Sequence, residues 1–209
     1  MGDMVLDIDG VFVPRQERAK KTYEKILLSA QEILEECGIE ALNSNAVVER
    51  AGVTAPVFYR YFKNKHVLLA VLGDRLIEAQ NDIYLDIANQ YNENENSVDN
   101  IEVYVLETLK QTYDLHRKFV GAKVLLAALR AIPSLSAMRL KGNREMANVT
   151  TEQLMLIRPE LSRNEAYERT RVAIEIGYSI VEMLLDDKRL PRMRILEKAA
   201  ASIVCAYLN

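Results

Sequence analysis

The sequence predicts an all-α protein of about nine helices, and three observations predict it. Glycine and proline are scarce, at 8 and 5 residues in 209, so long uninterrupted elements are expected. Apolar residues recur at three- and four-residue spacing through most of the chain, which is the period of an amphipathic helix. No run alternates apolar and polar residues over a useful strand length.

Residues 1–13 carry Asp3, Asp7 and Asp9 with no base before Arg15 and read as a flexible arm. That charge order is opposite to a secretory signal, and Leu6 stands where a myristoylation signal has Ser or Thr. From Arg15 the pattern turns helical. Ile26, Leu27, Ala30, Ile33 and Leu34 form one stripe, and Gly38 is a natural residue to end it. "LNSN" (42–45) offers an N-cap for a short second helix holding Val47 and Val48. Gly52 ends that helix, Thr54 caps a third, and Pro56 sits in the first turn, where a missing N–H costs nothing. A fourth helix is expected from about Asn64 to Asn89. "NQYNENENSVDN" (89–100) is Asn-rich and aperiodic and reads as a loop. Further helices are expected near 98–116, 118–131, 134–157, 164–187 and 191–208, with Pro133, Pro159 and Pro191 between them and a capping box at Ser162 and Glu165.

Composition excludes several function classes. Hydrophobic residues are 49% and charged residues 27%, ordinary for a globular protein. The net charge of −3 does not suit a general polyanion binder, so any nucleic acid must meet a local patch. Cys37 and Cys205 lie far apart with no CxxC spacing, which argues against a metal site and a disulfide framework. The run "AAASIVCAYLN" is about half a membrane span, so the expectation is a cytoplasmic protein with no membrane partner. His66 and His116 are the two histidines. No Glu-x-x-His pair, nucleophile elbow or phosphate loop occurs, so no catalytic residues and no cofactor are expected.

One stretch stands apart. "ERAGVTAPVFYRYFKNK" (49–65) puts Phe58, Tyr59, Tyr61 and Phe62 into five positions, in a chain with 4 Phe and 10 Tyr. Short helices on either side of "AGV" describe a helix-turn-helix, with Gly52 supplying a positive φ at the turn. Phe58 and Phe62 are four apart and are expected to pack on the first helix. Tyr59 and Tyr61 are expected off that face, with hydroxyls toward phosphate oxygens. Arg60, Lys63 and Lys65 add positive charge, and the amides after Thr54 favour an anion. From Pro14 to Arg75 there are ten Lys or Arg and eight Asp or Glu, a net +2.

The span from Tyr23 to Leu72 resembles the DNA-binding domain of the TetR family of transcriptional regulators. The "AGV" turn, the Tyr-x-Tyr-Phe of 59–62 and the lysine after it carry the resemblance. It implies a head at 14–63 and a helical ligand-binding and dimerisation domain at 64–209. It also implies a homodimer on double-stranded palindromic DNA, usually a repressor, released by a small-molecule effector. By position, the DNA contacts would be Ser44, Asn45, Thr54, Ala55, Pro56, Val57, Tyr59, Arg60, Tyr61 and Lys65. Where many members have Ser-Lys-Gly-Thr, this chain has "TAPV" (54–57). That tip is expected to touch thymine methyls rather than to read base edges by bidentate bonds, with Asn45 the candidate for adenine.

The last two helices lack a continuous polar face, so a second chain is expected to cover them. Ile174, Gly177, Val181, Ala199 and Ile203 are the candidate dimer residues. Tyr104, Tyr113, Phe119, Leu126, Met138, Met146 and Tyr178 are candidates for an apolar effector pocket. The scarcity of charge in 103–109 and 124–129 points to a neutral ligand. His116 is expected at the surface or satisfied. The alternative is a helical small-molecule-binding or adaptor protein of this fold with weak or lost DNA specificity.

Overall fold

Several helices of the computed structural model follow from a cap or a breaker in the sequence. The structure describes residues 14–93 and 98–208; the arm at 1–13 lies outside them, as does part of the expected loop at 89–100. Among the described residues there are nine α-helices: α1 (Glu17–Cys37), α2 (Ser44–Ala51), α3 (Ala55–Tyr61), α4 (Lys65–Glu93), α5 (Val98–Lys118), α6 (Ala122–Ala131), α7 (Pro133–Ile157), α8 (Arg163–Asp186) and α9 (Arg192–Leu208). A short 3-10 turn at Ile39–Ala41 follows α1 and is absent from the sequence reading, because three residues carry no periodic signal.

Asn43 caps α2, its side-chain oxygen accepting from Ala46 N–H at 3.0 Å. The chain then turns at Gly52, at φ 56° and ψ 39°, a left-handed conformation that costs a residue with a Cβ. Thr54 holds the N-cap position of α3, but its side chain makes no cap bond, which corrects the expected capping role. Asn64 accepts from the N–H groups of His66 and Val67 and starts α4. Ser162 accepts from Glu165 N–H and starts α8.

The chain packs as two units. The first is the described chain to Leu76 together with Phe119–Ser136; the second is Ile77–Lys118 with Ala137 onward. In the first, α1 carries α2, α3 and α6. Ile26, Leu27, Leu34, Phe58, Phe62, Leu68 and Leu72 are fully buried. Gly121, at φ 77°, lets the start of α6 approach α1 so closely that a Cβ would lie 2.8 Å from the Gln31 carbonyl oxygen. Glu35 accepts from Gly121 N–H at 3.0 Å and fixes that approach.

In the second unit, α5, α8 and α9 form the main core. The candidate dimer residues are already covered within their own chain. Ile174, Val181, Ala199 and Ile203 are at most 5% exposed, and a Cβ on Gly177 would meet Leu109 at 3.4 Å. The apolar face is closed by α5 of the same chain. Sequence reading counted apolar residues around α8 and α9 but had no way to assign α5 as their cover.

Both glycine turns carry a test. Gly52→Ala is expected to cost about 1 kcal/mol through backbone strain. Gly121→Ala adds overpacking against Gln31 and Leu34, about 1–3 kcal/mol more. Urea unfolding of the two variants measures the difference. Equal losses would show that the α1–α6 approach relaxes without cost.

Candidate functional site

The aromatic cluster divides by face, though not as its spacing suggested. Phe62 stacks on Tyr23 of α1 at 5.0 Å between ring centroids. Phe58 is fully buried beside it, 5.8 Å from Phe62. Tyr61 turns inward too: it is 4% exposed, meets Tyr23 edge-on at 5.7 Å, and its hydroxyl donates to the Ala19 carbonyl at 3.4 Å. Tyr61 is therefore a packing residue rather than an outward one. On a helix of 100° per residue, positions 59 and 61 lie equally far from the centre of the Phe58–Phe62 stripe, and Tyr61 is the one covered by Tyr23 and the Ala19 carbonyl. Tyr59 alone of the four rings points outward, 54% exposed and propped edge-on against Phe58.

The outward surface consists of exposed Asn45, Thr54, Ala55, Pro56, Tyr59 and Arg60, with half-buried Ser44, Val57 and Lys65 beside them. Its orientation rests on α1. Glu24 accepts two hydrogen bonds from Arg75 of α4, at 2.6 and 2.7 Å. The Arg75 guanidinium also lies 5.6 Å from the centre of the Tyr23 ring. The Arg75 hydrogen bond holds the Glu24 carboxyl below its ordinary range, and burial pushes the Tyr23 phenol up. One turn of α1 thus fixes both α3, through Tyr23, and the start of α4, through Glu24.

The expected pocket residues do not gather in one cavity of the second unit. Phe119 and Leu126 belong to the first unit. Met146 and Tyr178 pack with Ala147 and Ile174, and Tyr84 and Tyr167 lie against them. Tyr113 lies under the Arg192 guanidinium at 5.2 Å, and Met138 is half-buried. Of the seven, Tyr104 lines two small cavities of the second unit. One, of about 40 Å³, lies among Ile101, Tyr104, Thr150, Gln153, Leu154 and Tyr207. The other, of about 20 Å³, reaches Tyr84, Thr108, Ile174 and Gly177. Tyr104 and Tyr207 border both. Burial pushes Tyr84 up to about 12 and raises Tyr207 well above its ordinary value. Tyr207 escaped sequence reading because the uncharged end of α9 resembled an interface more than a cavity wall.

His116 is buried at 2% exposure, its Nε2 paired with the Gln80 side-chain amide. Its Nδ1 and the Thr112 hydroxyl one turn earlier are buried without a hydrogen-bond partner, so the expectation of a surface or satisfied histidine is corrected. Burial pushes the imidazole down to about 4.

With this geometry in place, comparison with known proteins is decisive for the head. Residues 26–72 match the family model described as bacterial regulatory proteins, tetR family. Over that span, the chain carries the DNA-binding domain of the TetR family. It is 34% identical over 65 residues to the HTH-type transcriptional regulator YvdT of Bacillus subtilis, covering 31% of this chain and 32% of that protein. It is 37% identical over 54 residues to the tetracycline repressor protein class C of Escherichia coli, covering 26% of this chain and 25% of the repressor. The matches thus span a third or less of these relatives. The fold extends further. A TetR-family regulator structure from Syntrophomonas wolfei superposes with a TM-score of 0.69 over 91% of this chain and 96% of its own, at 14% identity. Among the described residues, no helix is long and apolar enough to cross a membrane, and no cluster of His, Cys, Asp and Glu could hold a metal.

His116 sets an acid limit on the second unit. Its folded pKa lies below the ordinary 6.5, so the unfolded chain binds more protons between pH 6.5 and about 4. Stability should fall by about 3 kcal/mol as pH drops through that window. Urea unfolding of His116→Gln should show a flatter profile there. An unchanged slope would place the loss in other groups.

Proposed function

We propose that the protein is a transcriptional regulator that binds a two-half-site DNA operator as a homodimer and leaves it when a small molecule binds. One observation carries this reading: α3 is pinned by Phe58, Tyr61 and Phe62, while Ala55, Pro56, Tyr59 and Arg60 stay exposed on its opposite face. A helix held rigidly on one side and left uncovered on the other suits insertion into a major groove. The relatives' printed names, a transcriptional regulator and a tetracycline repressor, support the same class. The head at 14–63 would read DNA, and the helices of 64–209 would take the effector and the second subunit.

Tyr59, Arg60, Lys65 and the uncapped Thr54 hydroxyl would hold phosphates, Asn45 would meet a base, and Ala55 and Pro56 would touch thymine methyls. Tyr61 would act by orienting α3. The net +2 of residues 14–75 makes affinity depend on two half-sites and on salt. For the dimer, the partly exposed apolar stripe of α8 is the better candidate. Val172 and Met183 are exposed there, and Ile176 and Ile180 are half-buried, at the spacing of one helical stripe. On α9, exposed Ala201 and Cys205 and half-buried Val204 continue it. These two cavities are far below the ~300 Å³ of a ligand pocket, so an effector entering at either would have to displace side chains and favour a different arrangement of the helices. The apolar tip at 55–57 favours one second reading, a binding protein of this fold that has lost DNA specificity.

Fluorescence anisotropy with DNA from upstream of the protein's own gene, across a salt series, tests the reading. Tight, salt-steep binding is expected. Lys65→Ala should lower the salt slope by about one, and Tyr59→Phe should weaken binding at unchanged stability. No preference over random DNA here or in a genome-wide selection would favour the second reading. Sedimentation of Val172→Glu/Met183→Glu should give a helical monomer where the parent is a dimer. A dimer that survives both charges would move the interface elsewhere.

A further inference from the structure

A polar cluster in the second unit serves neither the packing nor the proposed DNA surface. Arg139 and Asn143 of α7 and Arg171 of α8 converge on one carboxylate, Glu175. Glu175 Oε1 accepts from Asn143 Nδ2 at 2.9 Å and from Arg171 Nη2 at 3.0 Å. Arg139 Nη1 stands 3.6 Å from Oε2, within ion-pair range but too far to hydrogen-bond. Two guanidinium charges therefore face one carboxylate charge. Arg139 Nε, Arg139 Nη1 and Arg171 Nη1 are all buried without a hydrogen-bond acceptor. Buried donors of this kind are costly, and charged ones most of all. The arginine side chains keep 18% and 23% exposure, so the cluster reaches solvent along one edge.

We propose that the Arg139–Arg171 pair binds the acid group of the effector, and that the effector is a monocarboxylate with an apolar body. A carboxylate supplies acceptors in the planar arrangement that guanidinium groups match. It would also balance the surplus positive charge. The body would lie against apolar side chains of the same unit. Glu175 follows Ile174, which packs with Met146 and Tyr178 and also lines the inner cavity with Tyr84 and Tyr104. Tyr178 joins the two regions: burial raises its phenol, Tyr84 and Glu175 add to the rise, and Arg139 and Arg171 oppose it. This inference rests on the effector-responsive reading above and replaces the neutral ligand expected from sequence.

Isothermal titration calorimetry of the full chain without DNA tests it. Octanoate and benzoate are the probes; 1-octanol and benzyl alcohol are the uncharged controls. The acids are expected to bind at least tenfold tighter than the matching alcohols. Arg139→Gln and Arg171→Gln should each remove that advantage. Glu175→Gln deletes the competing carboxylate and should tighten acid binding several-fold, which a purely structural ion cluster would not do. That gain keeps the test decisive if an arginine variant fails to fold. Acids binding no tighter than alcohols, or an unchanged affinity in Glu175→Gln, would overturn the proposal. Because DNA is absent, failure here leaves operator binding untouched, and failure to bind DNA leaves this result standing.

Discussion

The stack of Tyr23 on Phe62 is the contact on which the candidate DNA surface depends. A seven-residue helix such as α3 is too short to be stable by its own hydrogen bonds. Its orientation must come from outside. Phe58, Tyr61 and Phe62 supply it by burying three rings on one side, and the stack supplies a direction as well as area. Glu24, the next residue on α1, binds Arg75 of α4 by two hydrogen bonds. Neighbouring positions on one turn of α1 therefore set the elements before and after the Phe62–Asn64 connection.

The same economy explains why so few polar groups reach outward from α3. Three of its aromatic positions are committed to packing, which leaves Tyr59 as the ring with a hydroxyl available at the surface. With Ala55 and Pro56 at the exposed tip, the surface can position itself on phosphates more readily than it can read base edges by hydrogen bonds. Any specificity it has must draw on apolar groove contacts and on DNA shape.

The second unit follows a different constraint. Its core is closed within the chain by α5, α8 and α9, so an apolar face that looks available in one dimension is covered in three. Beside the buried Thr151–Thr170 pair, two polar groupings of this unit involve ionisable side chains, the His116–Gln80 pair and the Arg139–Arg171–Glu175 cluster. The first holds a histidine neutral through desolvation. In the second, burial works to raise Glu175, but Asn143 and the two arginines outweigh it and hold the carboxyl below its ordinary range.

The sequence by itself determined the helical class, the helix order and the turn at Gly52, because periodicity, caps and breakers are local signals. The separation of Phe58 and Phe62 from Tyr59 was legible for the same reason. The inward turn of Tyr61 was not, because a residue at the edge of a stripe is buried or exposed according to the partner placed against it, here Tyr23 and the Ala19 carbonyl. Nor was the burial of Ile174, Val181 and Ile203 within their own chain. Only the tertiary structure could bring α5 against α8 and α9, or bring Arg139 to Glu175 across 36 positions of sequence. Amphipathic pattern states that a face must be covered; it carries no information about which distant segment covers it.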